Sequence, residues 1–162
     1  MEGARPALPA DLPVLAALAA SAVAEQVGDR GGGIWSQRES RALPAEGSLA
    51  AAIDDPGQLV VAGTIDGVVL GYGVVRTEAL RNGAVLGVIS DLYVDPEARE
   101  VGVGEAMTDC LLAWCQAQGC QGVDALALPG NRSTKNFFES FGFTARAIVV
   151  HRPLPVPGRP DP

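Results

Sequence analysis

The chain is poor in aromatic residues and in positive charge. Its 162 residues include two Trp, two Tyr and four Phe, so the core has to be built mainly from Ala, Val and Leu. Twelve basic residues stand against nineteen acidic ones, which gives a net charge of −7. Because such a chain repels phosphates, it is a poor non-specific binder of nucleic acid or of an anionic membrane. The same charge favours a cationic small molecule or a basic peptide as partner.

Cysteine is scarce, and its spacing does not suit a metal site. The three cysteines, Cys110, Cys115 and Cys120, stand five residues apart. On one helix this spacing turns successive side chains about 140° apart, so the thiols would neither converge on a metal nor pair readily. The odd count and the absence of a Cys-x-x-Cys pattern predict free thiols in a reducing cytoplasm and no metal.

The sequence also lacks a long hydrophobic run. The most apolar stretch, residues 12–24, is too short to cross about 30 Å of hydrocarbon. The residues before it include Glu2, Arg5 and Asp11 rather than a basic cluster, which argues against a secretion signal. Lys135 is the only lysine, a usage typical of GC-rich bacterial coding. We therefore expect a cytoplasmic bacterial protein with an amphipathic surface helix in this stretch.

Hydrophobic periodicity predicts a single α/β (α+β) domain over residues 1–154 and a disordered tail over 155–162. The strand over 84–94, the helix over 103–118 and the strand over 123–128 form one right-handed crossover, so these two strands should be parallel. The other strands are joined by tight turns and should be antiparallel. The further strands are expected at 4–7, 59–65 and 68–76, with a last strand or short hairpin at 143–152, and the further helices at 11–27, 34–43, 49–53 and 131–140.

A glycine-rich turn after the strand over 84–94 is the strongest chemical signal. Arg99 is followed by Gly102 and Gly104, and a helix begins at the turn. Backbone N–H groups at such a turn, with the positive end of the helix, make an anion site suited to a pyrophosphate. The pattern is neither a Walker loop nor the dinucleotide G-x-G-x-x-G. The alternative is a tight turn that needs glycine only for packing and binds nothing.

Two motifs resemble the GNAT superfamily of N-acetyltransferases. Arg99-x-x-Gly102-x-Gly104 after a Val-Asp-Pro strand end resembles motif A of that family. The stretch over residues 131–143, NRSTKNFFESFGF, is similar to the family's N-x-x-A-x-x-F-Y-E-x-x-G-F helix, and Arg5-Pro-Ala resembles its usual start. The resemblance covers about residues 4–154. It implies a mixed, mostly antiparallel sheet with helices on both faces, in which strands 84–94 and 123–128 splay apart.

The resemblance implies that acetyl-CoA binds where those two strands separate. The family reaction is direct transfer of the acetyl group from the thioester to a primary amine. It needs a neutral amine, hydrogen-bond donors for the developing oxyanion and a proton for the leaving thiolate. The residues expected to bind acetyl-CoA are Leu92, Tyr93 and Val94 along the pantetheine, Arg99, Glu100, Val101, Gly102, Val103, Gly104 and Glu105 at the pyrophosphate, and Asn131, Lys135 and Phe138 beside them.

The catalytic positions depart from the family pattern. Phe138 stands where the family usually has a thiol-protonating tyrosine, and Ser90 stands where members often have a glutamate. Strand alternation places Asp91 on one face with Ile89 and Tyr93. We therefore predict that Asp91 binds or deprotonates the amine and that Tyr93 supplies the missing hydroxyl. The alternatives are an Asp91 carboxylate bonded to loop amides and a Tyr93 that is a half-buried core residue.

The acceptor site is the least defined part of the sequence. Trp35 and Glu39, four residues apart, would suit a cation, and Glu78 and His151 are further substrate-binding candidates, although each has an ordinary structural interpretation. The expected function is acetyl-CoA-dependent N-acetylation of a small, cationic amine. The alternatives are a protein N-terminal or lysine acetyltransferase and a weakly catalytic CoA-binding sensor. The preference for acetyl over larger acyl groups stays open, and residues 143–154 offer an edge for a homodimer.

Overall fold

The computed structural model describes residues 1–160. Of the expected tail over 155–162, residues 161 and 162 therefore lie outside the described residues. The described residues form five strands and five α-helices, with short 3-10 turns at Pro9–Asp11 and Pro96–Ala98. In chain order the elements are β1 (Glu2–Pro6), α1 (Leu12–Gln26), α2 (Gly32–Arg38), α3 (Glu46–Asp54), β2 (Gln58–Ile65), β3 (Val68–Ala79), β4 (Val85–Val94), α4 (Val103–Ala117), β5 (Cys120–Ala125) and α5 (Arg132–Ser140).

The five strands form one sheet in the order β1-β2-β3-β4-β5. The first three pairings are antiparallel and the β4–β5 pairing is parallel, which confirms the predicted mixed sheet. The β3–β4 register shifts by one residue, because Val74 pairs with Asp91 and Val75 pairs with Ile89. This β-bulge at Ser90 interrupts the alternation of β4 side chains between the two faces of the sheet.

The bulge corrects the predicted assignment of side chains to faces. Tyr93 packs in the core layer under α1 and α3, whereas Ile89 packs in the opposite layer under α4 and α5. Asp91 stays on the face of Tyr93, since its carboxylate accepts a hydrogen bond from Tyr72 of the same layer. The expectation that Ile89 lies on this face was therefore wrong, while the expectation that Asp91 and Tyr93 share a face was right.

Apolar stripes on the helices build the two core layers. Leu15 of α1 and Leu49 of α3 are fully buried on one face of the sheet, and Met107 and Leu111 of α4 are fully buried on the other. Helix α4 comes unusually close to the sheet, because a Cβ atom on Gly63 would lie only 2.6 Å from Cγ1 of Val103 and 2.7 Å from Sδ of Met107. Glycine inside a strand marks such a close approach.

Three segments differ from the sequence prediction. Helix α2 ends at Arg38 rather than at residue 43, and β5 lies about three residues earlier than predicted. The predicted last strand over 143–152 does not form, since the described residues after α5 contain neither helix nor strand. A strand needs a partner for its backbone groups, and this segment makes no ladder with β5.

The cysteines are free, and two of them approach each other. Cys115 is near the end of α4, but Cys120 begins β5, so the helical angle used in the prediction does not apply to this pair. Burial, with a smaller contribution from the Cys120 thiol, raises the pKa of Cys115 to about 12. Within residues 1–160 no group of three His, Cys, Asp or Glu side chains is arranged for a metal, and no helix has the length and hydropathy of a membrane span.

Candidate functional site

The sheet opens at the carboxyl end of β4. The β4–β5 ladder ends at the pair Ile89 and Ala125, but β4 continues for five more residues to Val94. On the side of β5, residues 90–94 have no partner strand in the described chain, although β3 pairs them on the other side. An unpaired strand edge presents backbone donors and acceptors to an extended ligand. The sequence had placed Leu92, Tyr93 and Val94 at this opening.

The glycine-rich turn lies directly beyond the opening and leaves a run of donors free. Gly102 has a φ of 95°, which glycine adopts without strain, and α4 begins at Val103. The first helical hydrogen bond runs from the Ala106 N–H to the Gly102 carbonyl. Among residues 1–160 the N–H groups of residues 101–105 donate no hydrogen bond. Five free donors at a helix N-terminus form the predicted anion cradle.

Two apolar side chains, those of Phe137 and Val94, lie close to Gly104. A Cβ atom there would lie 3.3 Å from the Phe137 ring and 3.8 Å from Cγ2 of Val94. A backbone surface walled by apolar side chains is suited to an extended ligand that ends in a phosphate group. The donor chemistry and the open backbone therefore fit a nucleotide cofactor of the acetyl-CoA type.

Arg99 does not point into the cradle. Its Nε donates to the Val94 carbonyl at 3.0 Å, and its two terminal nitrogens donate to the Glu25 carboxylate at 2.8 and 2.7 Å. The guanidinium also lies 5.3 Å from the centre of the Tyr93 ring. Three of its five N–H donors are thus bonded to Glu25 and Val94, and the expectation that Arg99 holds the pyrophosphate stays a prediction.

Glu25 is the site residue that sequence reasoning missed. It sits in the last turn of α1, and its carboxylate also accepts a hydrogen bond from the Tyr93 hydroxyl at 2.9 Å. The hydrogen bonds from Arg99, and to a lesser degree from Tyr93, lower the pKa of Glu25 despite partial burial. Burial, together with Glu25, raises the pKa of Tyr93 to about 12. The tyrosine therefore keeps its proton at neutral pH.

The Asp91 carboxylate accepts hydrogen bonds from three side chains. The Arg41 guanidinium donates to both of its oxygens at 2.8 Å, the Tyr72 hydroxyl donates at 2.7 Å and the Ser90 hydroxyl at 2.6 Å. Only 5% of the Asp91 side chain and 13% of the Arg41 side chain are exposed. Burial and Asp91 raise the pKa of Tyr72 above its usual range. The carboxylate is thus bonded as the alternative interpretation supposed, but to side chains rather than to loop amides.

A groove of about 470 Å³ lies next to this network, between α1 and the segment that follows α2. Its charged lining residues are Arg38 and Arg41, and Arg41 is neutralised by Asp91. Trp35 lies within α2 and Glu39 directly follows that helix, and neither residue lines the groove. The lining residues are Val23, Val27, Ser36, Gln37, Arg38, Ser40, Arg41, Ala42 and Leu43.

Helix α5 places its predicted residues in structural roles. The Asn131 side chain caps the helix by accepting from the Thr134 N–H at 3.2 Å. Phe138 is buried and packs with Phe143 at 5.1 Å between ring centres. Lys135 pairs with Glu139 one turn along at 3.1 Å, on an exposed face. The structure therefore provides an ordinary packing or surface explanation for each of them.

Two predicted acceptor residues lie away from the opening. Glu78 pairs in register with Leu86, four residues along β3 from Val74, the partner of Asp91. Four strand residues span roughly 13 Å, so Glu78 does not join this site. His151 is exposed and lines a second groove together with Ile34 of α2.

A family model matches the part of the chain that contains the opening in the sheet and the glycine-rich turn. The model of the acetyltransferase (GNAT) family matches residues 22–143, and the chain belongs to that family. It is an acetyltransferase by family, and the family generally uses acetyl-CoA. No curated protein sequence matches the chain.

Solved structures share the fold at low sequence identity. A tetramutant of the BH1408 protein from Bacillus halodurans is 22% identical with a TM-score of 0.79, covering 93% of this chain and 99% of that one. A ribosomal-protein-alanine N-acetyltransferase from Brucella melitensis is 15% identical with a TM-score of 0.70, covering 96% and 100%. An aminoglycoside acetyltransferase from an uncultured soil sample is 16% identical with a TM-score of 0.69, covering 96% and 99%.

Proposed function

We propose that this chain is an acetyl-CoA-dependent N-acetyltransferase that moves an acetyl group directly to the primary amine of a small, cationic acceptor. One observation carries the proposal. The unpaired edge of β4 over residues 90–94 is followed, after a short turn, by five free backbone N–H groups at residues 101–105. A thioester cofactor with an extended arm and a pyrophosphate needs this combination of a strand-like edge and an anion cradle.

The backbone does most of the cofactor binding in this proposal. Leu92 offers strand-edge groups to the pantetheine amides, because the backbone groups of Tyr93 face Tyr72 of β3, and the N–H groups of residues 101–105 hold the pyrophosphate. The bound thioester supplies the activated acetyl group. Glu100 and Glu105 flank the cradle and weaken its field, so the backbone donors carry the binding.

We assign Tyr93 to protonate the leaving thiolate: its hydroxyl proton turns from Glu25 to the sulfur, and the phenolate then takes a proton from solvent. It lies at the end of β4 and holds a hydroxyl proton well past neutral pH. Its hydroxyl is oriented by Glu25 at 2.9 Å, and the Arg99 guanidinium lies against its ring. A proton donor that is fixed in place in this way contributes about 10²–10⁴-fold to a rate. In this role Tyr93 replaces the hydroxyl that Phe138 lacks.

We assign Asp91 to positioning rather than to proton abstraction. A carboxylate that is 5% exposed and bound to Arg41, Tyr72 and Ser90 has no free lone pair directed at a groove. It holds Arg41 and thereby the wall of the neighbouring groove. Glu25 is likewise paired with Arg99, so the amine proton passes to solvent in this proposal.

The groove between α1 and the segment after α2 is the proposed acceptor site. Its position beside Asp91 brings an acceptor to the same face of β4 as Tyr93. The net charge of −7 supports a cationic acceptor by attracting it from a distance, whereas the charged groups that line the groove are arginines. The identity of the acceptor is therefore a matter for an amine panel that includes cationic, neutral and anionic members.

Thermal melting with and without acetyl-CoA tests the first half of the proposal. A ligand at about 100 times its Kd adds roughly 2.7 kcal/mol, which appears as a shift of several degrees. Gly104→Glu places a negative side chain in the cradle and should remove the shift, while Glu105→Gln, at an exposed neighbouring position, should keep it. A protein that melts cooperatively but shows no shift would defeat the proposal.

Release of free thiol in the presence of the amine panel tests the second half. An enzyme releases thiol only when an amine is present, and a cationic amine should be preferred. Binding without turnover on any amine would instead favour a CoA-binding sensor. Turnover on peptides alone would favour a protein acetyltransferase.

A further inference from the structure

The groove proposed for the acceptor has positive charge on its walls and no acidic side chain among its lining residues. Its volume of about 470 Å³ is that of a small-molecule site. Val23 and Val27 of α1 line it with apolar surface, and its charged lining residues are Arg38 and Arg41. The chain as a whole is acidic, with a net charge of −7, so the groove differs in sign from the rest of the chain. Electrostatic complementarity therefore favours an acceptor that carries an anionic group as well as an amine.

Of the two arginines, Arg38 is the one whose guanidinium is open to a ligand. Arg41 donates from Nε and Nη2 to Asp91 and from Nη1 to Ser48. Arg38 lies in the last turn of α2 with 74% of its side chain exposed, and within residues 1–160 its guanidinium donates no hydrogen bond. An open guanidinium binds a carboxylate at two points, through parallel N–H donors.

Glu39 places a negative charge directly beside Arg38. Its Oε1 lies 3.5 Å from Nη1 of Arg38, and its side chain is half-exposed. A positive and a negative group therefore stand next to each other at the border of the groove. An α-amino acid carries the complementary pair, a carboxylate and an ammonium group on one carbon atom. Such a molecule can pair with Arg38 and Glu39 at the same time.

The apolar wall of the groove suits the rest of such an acceptor. A methylene chain that extends from the α-carbon is covered by Val23 and Val27, which removes apolar surface from water. An α-ammonium that pairs with Glu39 keeps its proton and is not a nucleophile, whereas an amine at the far end of the chain remains available. A molecule with two ammonium groups and one carboxylate has one net positive charge, so the acidic chain still attracts it.

We propose that the acceptor is a free diamino carboxylic acid, of the lysine or ornithine type, that is acetylated on its side-chain amine. Arg38 binds the carboxylate, Glu39 binds the α-ammonium, and Val23 and Val27 cover the methylene chain. This inference rests on the proposed function and adds the residues that select the acceptor.

The transfer follows the chemistry assigned above. The side-chain ammonium first gives a proton to solvent, and its nitrogen then forms a bond to the acetyl carbon of the thioester. The carbon–sulfur bond breaks, and the nitrogen loses a second proton to solvent. The sulfur takes its proton from Tyr93, whose phenolate is protonated again by solvent. The products are the side-chain acetamide and the free thiol.

Three amines that differ by one group test the recognition. L-Lysine carries both groups, 6-aminohexanoate lacks the α-amine and 1,5-diaminopentane lacks the carboxylate. Thiol release with acetyl-CoA gives kcat/KM for each. Because an exposed ion pair contributes a factor of up to about five, L-lysine should exceed each of the other two by about fivefold. Fragment masses of the product should place the acetyl group on the side-chain nitrogen, and acetylation of the α-amine would overturn the proposal.

Variants at the two charges show which residue recognises which group. Arg38→Gln should lower kcat/KM about fivefold for L-lysine and 6-aminohexanoate and leave 1,5-diaminopentane within about twofold. Glu39→Gln should lower kcat/KM for L-lysine alone. Arg76→Gln is the matched control, because Arg76 forms a similar exposed pair with Glu78 at 3.7 Å on β3 and does not line the groove. An Arg38→Gln enzyme that loses activity equally on all three amines would overturn the assignment.

Binding in the presence of free CoA separates this inference from acetyl transfer itself. Free CoA has no acetyl group, so L-lysine binds beside it without reacting. Calorimetry should show that L-lysine binds to the wild type and more weakly to Arg38→Gln. Such binding without any turnover would support recognition by Arg38 and defeat the acetyl-transfer proposal. Turnover of 1,5-diaminopentane as fast as of L-lysine would retain acetyl transfer and overturn this inference, and so would the absence of L-lysine binding.

Discussion

Arg99 and Glu25 form a two-point ion pair between residues 74 positions apart in the sequence. The pair joins the end of α1 to the turn after β4, and the Nε of Arg99 completes the arrangement by binding the Val94 carbonyl. All three guanidinium nitrogens are therefore engaged within the protein. The anion cradle at residues 101–105 is left to depend on backbone donors and on the helix N-terminus.

The engagement of Arg99 predicts a small effect of its removal on cofactor binding. Arg99→Gln should change the Kd for acetyl-CoA by less than about threefold, because a contact that is absent cannot be lost. Titration calorimetry measures this directly, with Gly104→Glu as the variant that should abolish binding. A loss of tenfold or more, about 1.4 kcal/mol, would mean that Arg99 leaves Glu25 and turns to the phosphates.

The buried ion pair of Arg41 and Asp91 predicts that removing one partner destabilises the protein more than removing both. Arg41→Ala leaves a carboxylate with a 5%-exposed side chain without its cation, and removing one partner of such a pair costs about 3–5 kcal/mol. The double variant Arg41→Ala with Asp91→Ala should be less destabilised than Arg41→Ala alone, since no uncompensated charge remains. Urea unfolding measures both.

Ser48 provides the matched control for this pair. Its hydroxyl accepts from Nη1 of Arg41 at 3.0 Å on the exposed side of the network. Ser48→Ala should cost little, because an exposed hydrogen bond contributes about 0.5–1.5 kcal/mol at most. A double variant as unstable as Arg41→Ala would show that packing, rather than the buried charge, accounts for the loss.

Local sequence rules were enough to predict most of the fold. Periodicity predicted the helices over 11–27 and 103–118, and the tight turn between the strands over 59–65 and 68–76 predicted the β2–β3 hairpin; the structure has all three. The crossover rule also gave the parallel pairing of β4 with β5. These features depend on contacts between neighbours in sequence or on a fixed handedness, which patterns record well.

The same rules could not supply the contacts that define the site. Glu25 meets Arg99 and Arg41 meets Asp91 only after the chain has folded, and no spacing along the sequence marks either pair. Strict alternation also failed at Ser90, because a bulge inserts one residue and reverses the faces beyond it. The last strand was overpredicted, since propensity reports what a segment favours and not whether an edge is there to receive it.

The carboxylate of Asp11 predicts an acid-dependent stability. Two hydrogen bonds from Arg5, at 2.7 and 3.0 Å, chiefly lower the pKa of Asp11 below its ordinary value of 3.8. A group whose folded pKa is lowered stabilises the protein above its unfolded pKa and loses that contribution as pH falls through the folded pKa. Asp11→Asn should cost about 1–3 kcal/mol near neutral pH.

The destabilisation caused by Asp11→Asn should become smaller as the pH falls. Below about pH 4 the wild-type stability should fall toward that of the Asn variant, and the gap should close once the pH lies below the lowered pKa of Asp11. Urea unfolding across this range measures the gap. Asp55→Asn, at an exposed turn carboxylate, is the control and should produce a much smaller gap at every pH. A gap for Asp11→Asn that stays constant across the range would assign its cost to shape rather than to charge.

Tyr93→Phe tests the proposed proton donor with little change in packing. The ring of Tyr93 is buried and the variant keeps it, while the hydroxyl that donates to Glu25 is lost. If Tyr93 protonates the leaving thiolate, kcat should fall about 10²-fold or more while the KM for acetyl-CoA stays within about twofold. Because the pKa of Tyr93 is raised to about 12, the wild-type rate should show no loss on its account up to about pH 10.

Tyr72→Phe, which removes the neighbouring hydroxyl from Asp91 instead, should reduce stability more than kcat. Equal kcat for wild type and Tyr93→Phe would reassign Tyr93 to holding Glu25 and Arg99 in place.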